Sequence, residues 1–133
     1  KKIEEIEGIG PVLGAKLRDA GATTVEKLLE LGGTKKGRVS LAETTEISEK
    51  KILTFVNMAD LFRINGVGEE FSELLEAAGV DSVVELATRN AENLTKKMAE
   101  VNETKKLTRA LPALSQVEKW VAHAKELPRA VHH

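Results

Sequence analysis

Residues 6–29, "IEGIGPVLGAKLRDAGATTVEKLL", and residues 64–87, "INGVGEEFSELLEAAGVDSVVELA", align at a constant offset of 58 without a gap. Eight of the 24 aligned positions are identical: Ile6/Ile64, Gly8/Gly66, Gly10/Gly68, Leu17/Leu75, Ala20/Ala78, Gly21/Gly79, Val25/Val83 and Leu28/Leu86. A second pattern recurs further along. Ile52, Phe55, Val56 and Ala59 have the i, i+3, i+4, i+7 spacing of a helix face turned to a core, and so do Val117, Trp120, Val121 and Ala124. The offset there is 65, so the second copy carries seven additional residues, about two helical turns. Such a chain must build one supersecondary unit twice.

Each copy is punctuated like a run of helices. Pro11 suits a first helical turn, where its missing N–H is not needed, and Gly21 and Gly79 suit the left-handed position that ends one. Ser40 with Glu43, Ser82 with Glu85, and Ser115 with Glu118 have the S-x-x-E spacing of a capping box. Helices are predicted near 11–20, 24–31, 41–45, 48–63, 69–78, 83–89, 91–101, 103–111 and 115–127. No segment alternates like a half-buried strand, so the fold class is all-α. "GGTKKGR", Gly32 to Arg38, is predicted to be irregular, and Pro112 and Pro128 to close helices.

A helix, a hydrophobic-Gly-hydrophobic-Gly turn and a second helix, with "GIG" at 8–10 and "GVG" at 66–68, resemble the helix-hairpin-helix family. Over nearly the whole chain, including "ISEKKILTFVNMADLFRINGVGEEFSELLEAAGV" and "NLTKKMAEVNETKKLTRALPALSQVEKWVAHAKELP", the sequence is similar to DUF4332, a bacterial tandem helix-hairpin-helix family without an established activity. The resemblance implies two repeats, 1–61 and 62–131, packed into one compact SAM-like helical unit. It also implies binding of the DNA backbone without reading of sequence.

The physics of that use is direct. Without side chains, Gly8 and Gly10 let backbone N–H groups approach a phosphate oxygen, and the following helix aims its positive end the same way, while Ile9 turns into the core. The bland alternative is a turn that only joins two helices at a tight angle. DNA-binding hairpins of this family carry a basic residue two positions after the second glycine; here Val12 and Glu70 stand there. Residues 6–29 balance Glu7, Asp19 and Glu26 against Lys16, Arg18 and Lys27. Residues 64–87 hold six acids (Glu69, Glu70, Glu73, Glu76, Asp81 and Glu85) and no base. Glu69 and Glu70 would occupy the helix start themselves and repel a phosphate by roughly 0.5–3 kcal/mol each. The second hairpin, Gly66, Val67 and Gly68, is therefore degenerate and should not touch DNA.

The candidate phosphate-binding set is Gly8, Ile9, Gly10, Val12, Lys16, Lys35, Lys36 and Arg38. Lys96, Lys97, Lys105, Lys106 and Arg109 form a second basic cluster, but Glu92, Glu100 and Glu103 are interspersed, which reads as a solvated face. Twenty basic against twenty-one acidic residues leave no global field to draw the protein onto nucleic acid, so binding must be local.

Other chemistries lack their residues. There is no cysteine, which removes disulfides, thiolate metal sites and cysteine nucleophiles, and 3% aromatics supply no base-stacking platform. "GIGPVLG" is neither a dinucleotide fingerprint nor a P-loop. His123 is expected to face water, and His132 and His133 to be a tag remnant rather than a metal site. No catalytic residue, cofactor or small-molecule substrate is expected. With no membrane-spanning run the protein is expected in the cytoplasm. Two functions stay open: a weak nonspecific DNA-binding module using the first hairpin, or a protein-interaction and scaffolding module with no nucleic-acid binding.

Overall fold

The computed structural model describes Lys1–His133. It holds eight α-helices and a short 3-10 turn at Ile3–Glu5, with a single isolated bridge between Lys2 and Thr24 in place of any sheet. The helices are α1 (Pro11–Asp19), α2 (Val25–Gly32), α3 (Lys35–Thr45), α4 (Glu49–Leu61), α5 (Glu69–Ala77), α6 (Val83–Leu86), α7 (Ala91–Lys105) and α8 (Leu114–Ala124). Two compact units are present: Lys1–Asp60 together with Ala130–His133, and Leu61–Arg129. No helix is long and apolar enough to cross a membrane.

Local chemistry explains where the helices begin. The hydroxyl of Thr24 accepts from the Lys27 N–H at 3.0 Å, and that of Ser82, its counterpart 58 residues on, from the Glu85 N–H at 3.1 Å. Thr34, Ser48 and Asn90 cap α3, α4 and α7 in the same way. Gly21 and Gly79 close α1 and α5 at a φ of 97° in both cases. The next amides, of Ala22 and Val80, reach back to Leu17 and Leu75 at 2.8 and 2.9 Å. In the first unit α1 and α2 pack on α3. In the second, α7 packs on α5 and α8, around Leu74, Leu75, Leu94, Met98 and Trp120. Phe55 and Trp120 are 4% and 2% exposed, each within the core of its own unit.

Four local expectations fail, each for a definable reason. "GGTKKGR" is not a loop: Gly32 ends α2, Thr34 caps α3, and α3 opens at Lys35. Its glycines serve close packing, since a Cβ on Gly32 would lie 2.5 Å from Val56 Cγ2 and one on Gly37 1.9 Å from the Leu31 carbonyl oxygen. Ser40 and Glu43 lie within α3 and cap nothing. The helix predicted over 103–111 is absent, because α7 continues to Lys105 and Lys106 then turns left-handed at φ 52°. There the Asn102 side chain replaces the helical ladder, accepting from the amides of Leu107 and Thr108 at 2.8 and 2.9 Å. Finally, α8 begins at Leu114, where Gln116 Oε1 accepts from the Ala113 N–H at 2.9 Å, and the Ser115 spacing is incidental.

Candidate nucleic-acid interface

The two glycine turns are closed by equivalent backbone hydrogen bonds. The amide of Ile9 donates to the Ile6 carbonyl at 3.1 Å, and that of Val67 to Ile64 at 3.1 Å. Gly14 donates to Gly10 and Ser72 to Gly68, both at 2.8 Å. Ile9 and Val67 are buried, as the turn requires of its central residue. Gly8 and Gly66 have φ values of 93° and 88°, and each faces the aromatic ring that repeats at offset 65: a Cβ would lie 3.2 Å from Phe55 Cε1 or Trp120 Nε1. The first glycine of each turn is thus required by its conformation and its seat on a ring. The second is different. A Cβ on Gly10 or Gly68 would meet nothing within 4 Å, so it is here that a ligand can come close to the backbone.

Both helices that leave these turns start without a side-chain cap. In α1 the N–H groups of Val12 and Leu13 therefore have no partner inside the helix. The first turn of α1 contains no acid, whereas that of α5 contains Glu69 and Glu70.

The basic residues expected around the first turn are scattered. Lys16 is exposed on α1 and shares a cleft of ≈ 220 Å³ with Asp19, Thr44, Thr45 and Glu46 at the far end of α3. Lys35 and Lys36 are exposed at the beginning of α3, eleven residues long, hence roughly 15 Å from that end. Lys35 lines another cleft, of ≈ 410 Å³, with Arg38, Glu49, Lys50, Leu53 and His133. Arg18, not among the candidates, is paired with Glu4, whose carboxyl this hydrogen bond holds below the 4.5 of a free glutamate.

Arg38 leaves the candidate set. It is 3% exposed, with Nη1 donating to the Gly32 carbonyl at 2.9 Å and Nη2 to the His132 carbonyl at 2.8 Å. Burial lowers its basicity and Glu49 opposes that shift. His132 and His133, read from the sequence as an appendage, are engaged: the His132 amide donates to the Gly33 carbonyl at 2.7 Å, and His133 Nε2 lies 3.0 Å from Asn57 Oδ1. Gly33 makes room for this segment, since a Cβ there would lie 2.5 Å from the Ala130 carbonyl oxygen. His123 does not simply face water either; its Nδ1 accepts from the Asn65 N–H at 3.2 Å, beside the second glycine turn. No group of three or more His, Cys, Asp or Glu residues is placed to hold a metal ion.

Residues 7–127 match the family described as Domain of unknown function (DUF4332), and the chain belongs to it. No curated protein and no solved structure matches the chain.

Proposed function

We propose that this DUF4332 chain is a non-catalytic cytoplasmic module of two tandem helix-hairpin-helix repeats that binds the DNA backbone weakly, without sequence preference, through its first glycine turn. The contrast between the two helix starts carries the reading: α1 leaves an open Gly10 with neither a cap nor an acid in its first turn, while α5 begins with two glutamates. A phosphate oxygen beside Gly10 meets two donors that the helix leaves unpaired, together with the positive end of its dipole. Lys16 adds charge one turn on. Lys35 and Lys36 lie in the first turn of α3, against the dipole of their own helix at about 0.3–1 kcal/mol each, a cost that a neighbouring phosphate would offset.

With two or three phosphates neutralised, the dissociation constant should be about 10⁻⁴ M or weaker at physiological salt, with a log-log salt slope of roughly −2 to −3. Titrating duplex and single-stranded DNA through a salt series tests this. Lys16→Glu with Lys36→Glu should abolish binding. If that double variant binds unchanged, or if nothing binds at low salt, the alternative takes over: a protein-interaction or scaffolding module with no nucleic-acid partner. That alternative is favoured by Val12, an apolar side chain 70% exposed at the position where a base would serve DNA.

A further inference from the structure

The connectors that lead from α3 to α4 and from α7 to α8 begin alike and then diverge. Glu46 and Lys106 both take the left-handed conformation, at φ 63° and 52°. In both, the next amide is held by a side chain of the preceding helix: Ile47 N–H by Thr45 Oγ1 at 3.2 Å, and Leu107 N–H by Asn102 Oδ1 at 2.8 Å. The first connector then reaches α4 within residues 46–48, whereas the second spans 106–113. Linking two such helices does not demand the longer path.

The longer path is ordered nonetheless. Asn102 Oδ1 also accepts from the Thr108 amide at 2.9 Å, Asn102 Nδ2 donates to the Thr108 carbonyl at 3.2 Å, and Thr108 Oγ1 donates to the Ala110 carbonyl at 3.0 Å. Pro112 is buried. What this held segment presents outward is apolar and basic. Leu111 and Leu114 are 48% and 41% exposed, two of the three large apolar side chains left open to water in the whole chain. Lys105, Lys106 and Arg109 are exposed and none enters an ion pair. Between residues 103 and 114 the one acid is Glu103.

We propose that this connector and the start of α8 form a docking surface for an acidic protein segment that carries an apolar anchor. Two leucines on a fixed backbone offer an anchor point whose ordering cost is already met, and three exposed cations of the same stretch that form no ion pair select an acidic partner. A bilayer fits less well, because two half-covered leucines do not make the continuous apolar face by which amphipathic elements enter lipid. Nucleic acid would leave the leucines unused. The surface shares no residue with the first glycine turn, so it stands or falls independently of the proposed DNA contact.

The test uses the full chain and a synthetic peptide of glutamates with leucines at helical spacing, its Lys-for-Glu counterpart, phosphatidylserine-phosphatidylcholine vesicles and duplex DNA. The acidic peptide should bind with a dissociation constant of about 10⁻⁴ M or tighter and shift the amide resonances of residues 106–114, and the basic counterpart should not. Leu111→Ser with Leu114→Ser should weaken it about tenfold, and Lys105→Glu with Arg109→Glu by a similar factor. Replacing residues 106–113 by the Glu-Ile-Ser of 46–48 should remove binding while the helical circular dichroism persists; if that chain does not fold, the two point-variant pairs decide. No binding at millimolar peptide, binding that all these changes leave intact, or use of the surface by vesicles or DNA and not by the peptide would each overturn the proposal.

Discussion

The two glycine turns share their hydrogen bonds, their positive-φ glycine and their aromatic seat, yet one opens into a helix start free of acids and the other into Glu69 and Glu70. The difference teaches that backbone shape and surface charge are specified by separate sets of residues. Ile9 and Phe55, like Val67 and Trp120, are buried, and Gly8 and Gly66 are held by their positive φ and by the ring that a Cβ would meet. The residues that follow Gly10 and Gly68 face outward, and nothing in the fold dictates their charge. Shape is common to both turns; the capacity proposed for the first is not.

The largest way to challenge the equivalence is in the core. Phe55→Ala and Trp120→Ala should each cost about 3–5 kcal/mol in urea unfolding followed by circular dichroism. A loss below 1 kcal/mol at either site would mean that the two rings do not do the same job.

The glycines divide next. Gly8→Ala and Gly66→Ala, which place a side chain at positive φ, should each cost about 1–2 kcal/mol. Gly10→Ala and Gly68→Ala, at negative φ and in open space, should cost less, about 0.5–1 kcal/mol, because Ala is a poorer N-cap than Gly. Thermal melts of the four variants give the pattern. If Gly10→Ala also abolishes the proposed DNA binding while the chain stays folded through its slightly lowered melt, the open glycine is where the phosphate approaches; retained binding would place the contact elsewhere.

Charge at the second turn is the third lever. Glu70→Lys should strengthen the proposed binding about threefold and steepen its salt slope by roughly one, since a repulsion is removed and a phosphate partner added. An unchanged titration would show that the charge at residue 70 is not what sets the second turn apart.

The smallest expected effect is one of pH. Glu4 pairs with Arg18 in the first unit, and the aligned positions of the second unit hold Phe62 and Glu76. Because the folded pKa of Glu4 is depressed, the stabilisation from this pair is complete above the ordinary value of 4.5 and fades as pH falls through the lower folded value. Arg18→Ala should return the Glu4 carboxyl toward 4.5 in an NMR titration and flatten this acid-side slope. Since the pair is partly exposed, the change in stability should be small.

The repeat, the helical class, the inward aromatic positions, the cap at Ser82 and the helix start at Pro11 were legible in the sequence, because each depends on residues within about one turn of helix or on a period that such a turn imposes. The fate of the basic cluster was not. Lys35, Lys36 and Arg38 look alike in a row of letters, but Arg38 is held by a carbonyl 94 residues away, and no local pattern encodes that separation. Likewise Gly8 and Gly10 are indistinguishable as letters, and only the packed ring of Phe55 decides which of them is closed and which is open. The connector after α7 was misread because Asn102, an unremarkable polar residue inside a helical pattern, turns its side chain onto the next segment and holds it as a loop. Local hydrogen bonding and apolar periodicity are written along the chain, whereas exposure, charge neighbourhood and the partners of a buried cation arise only when distant segments are brought together.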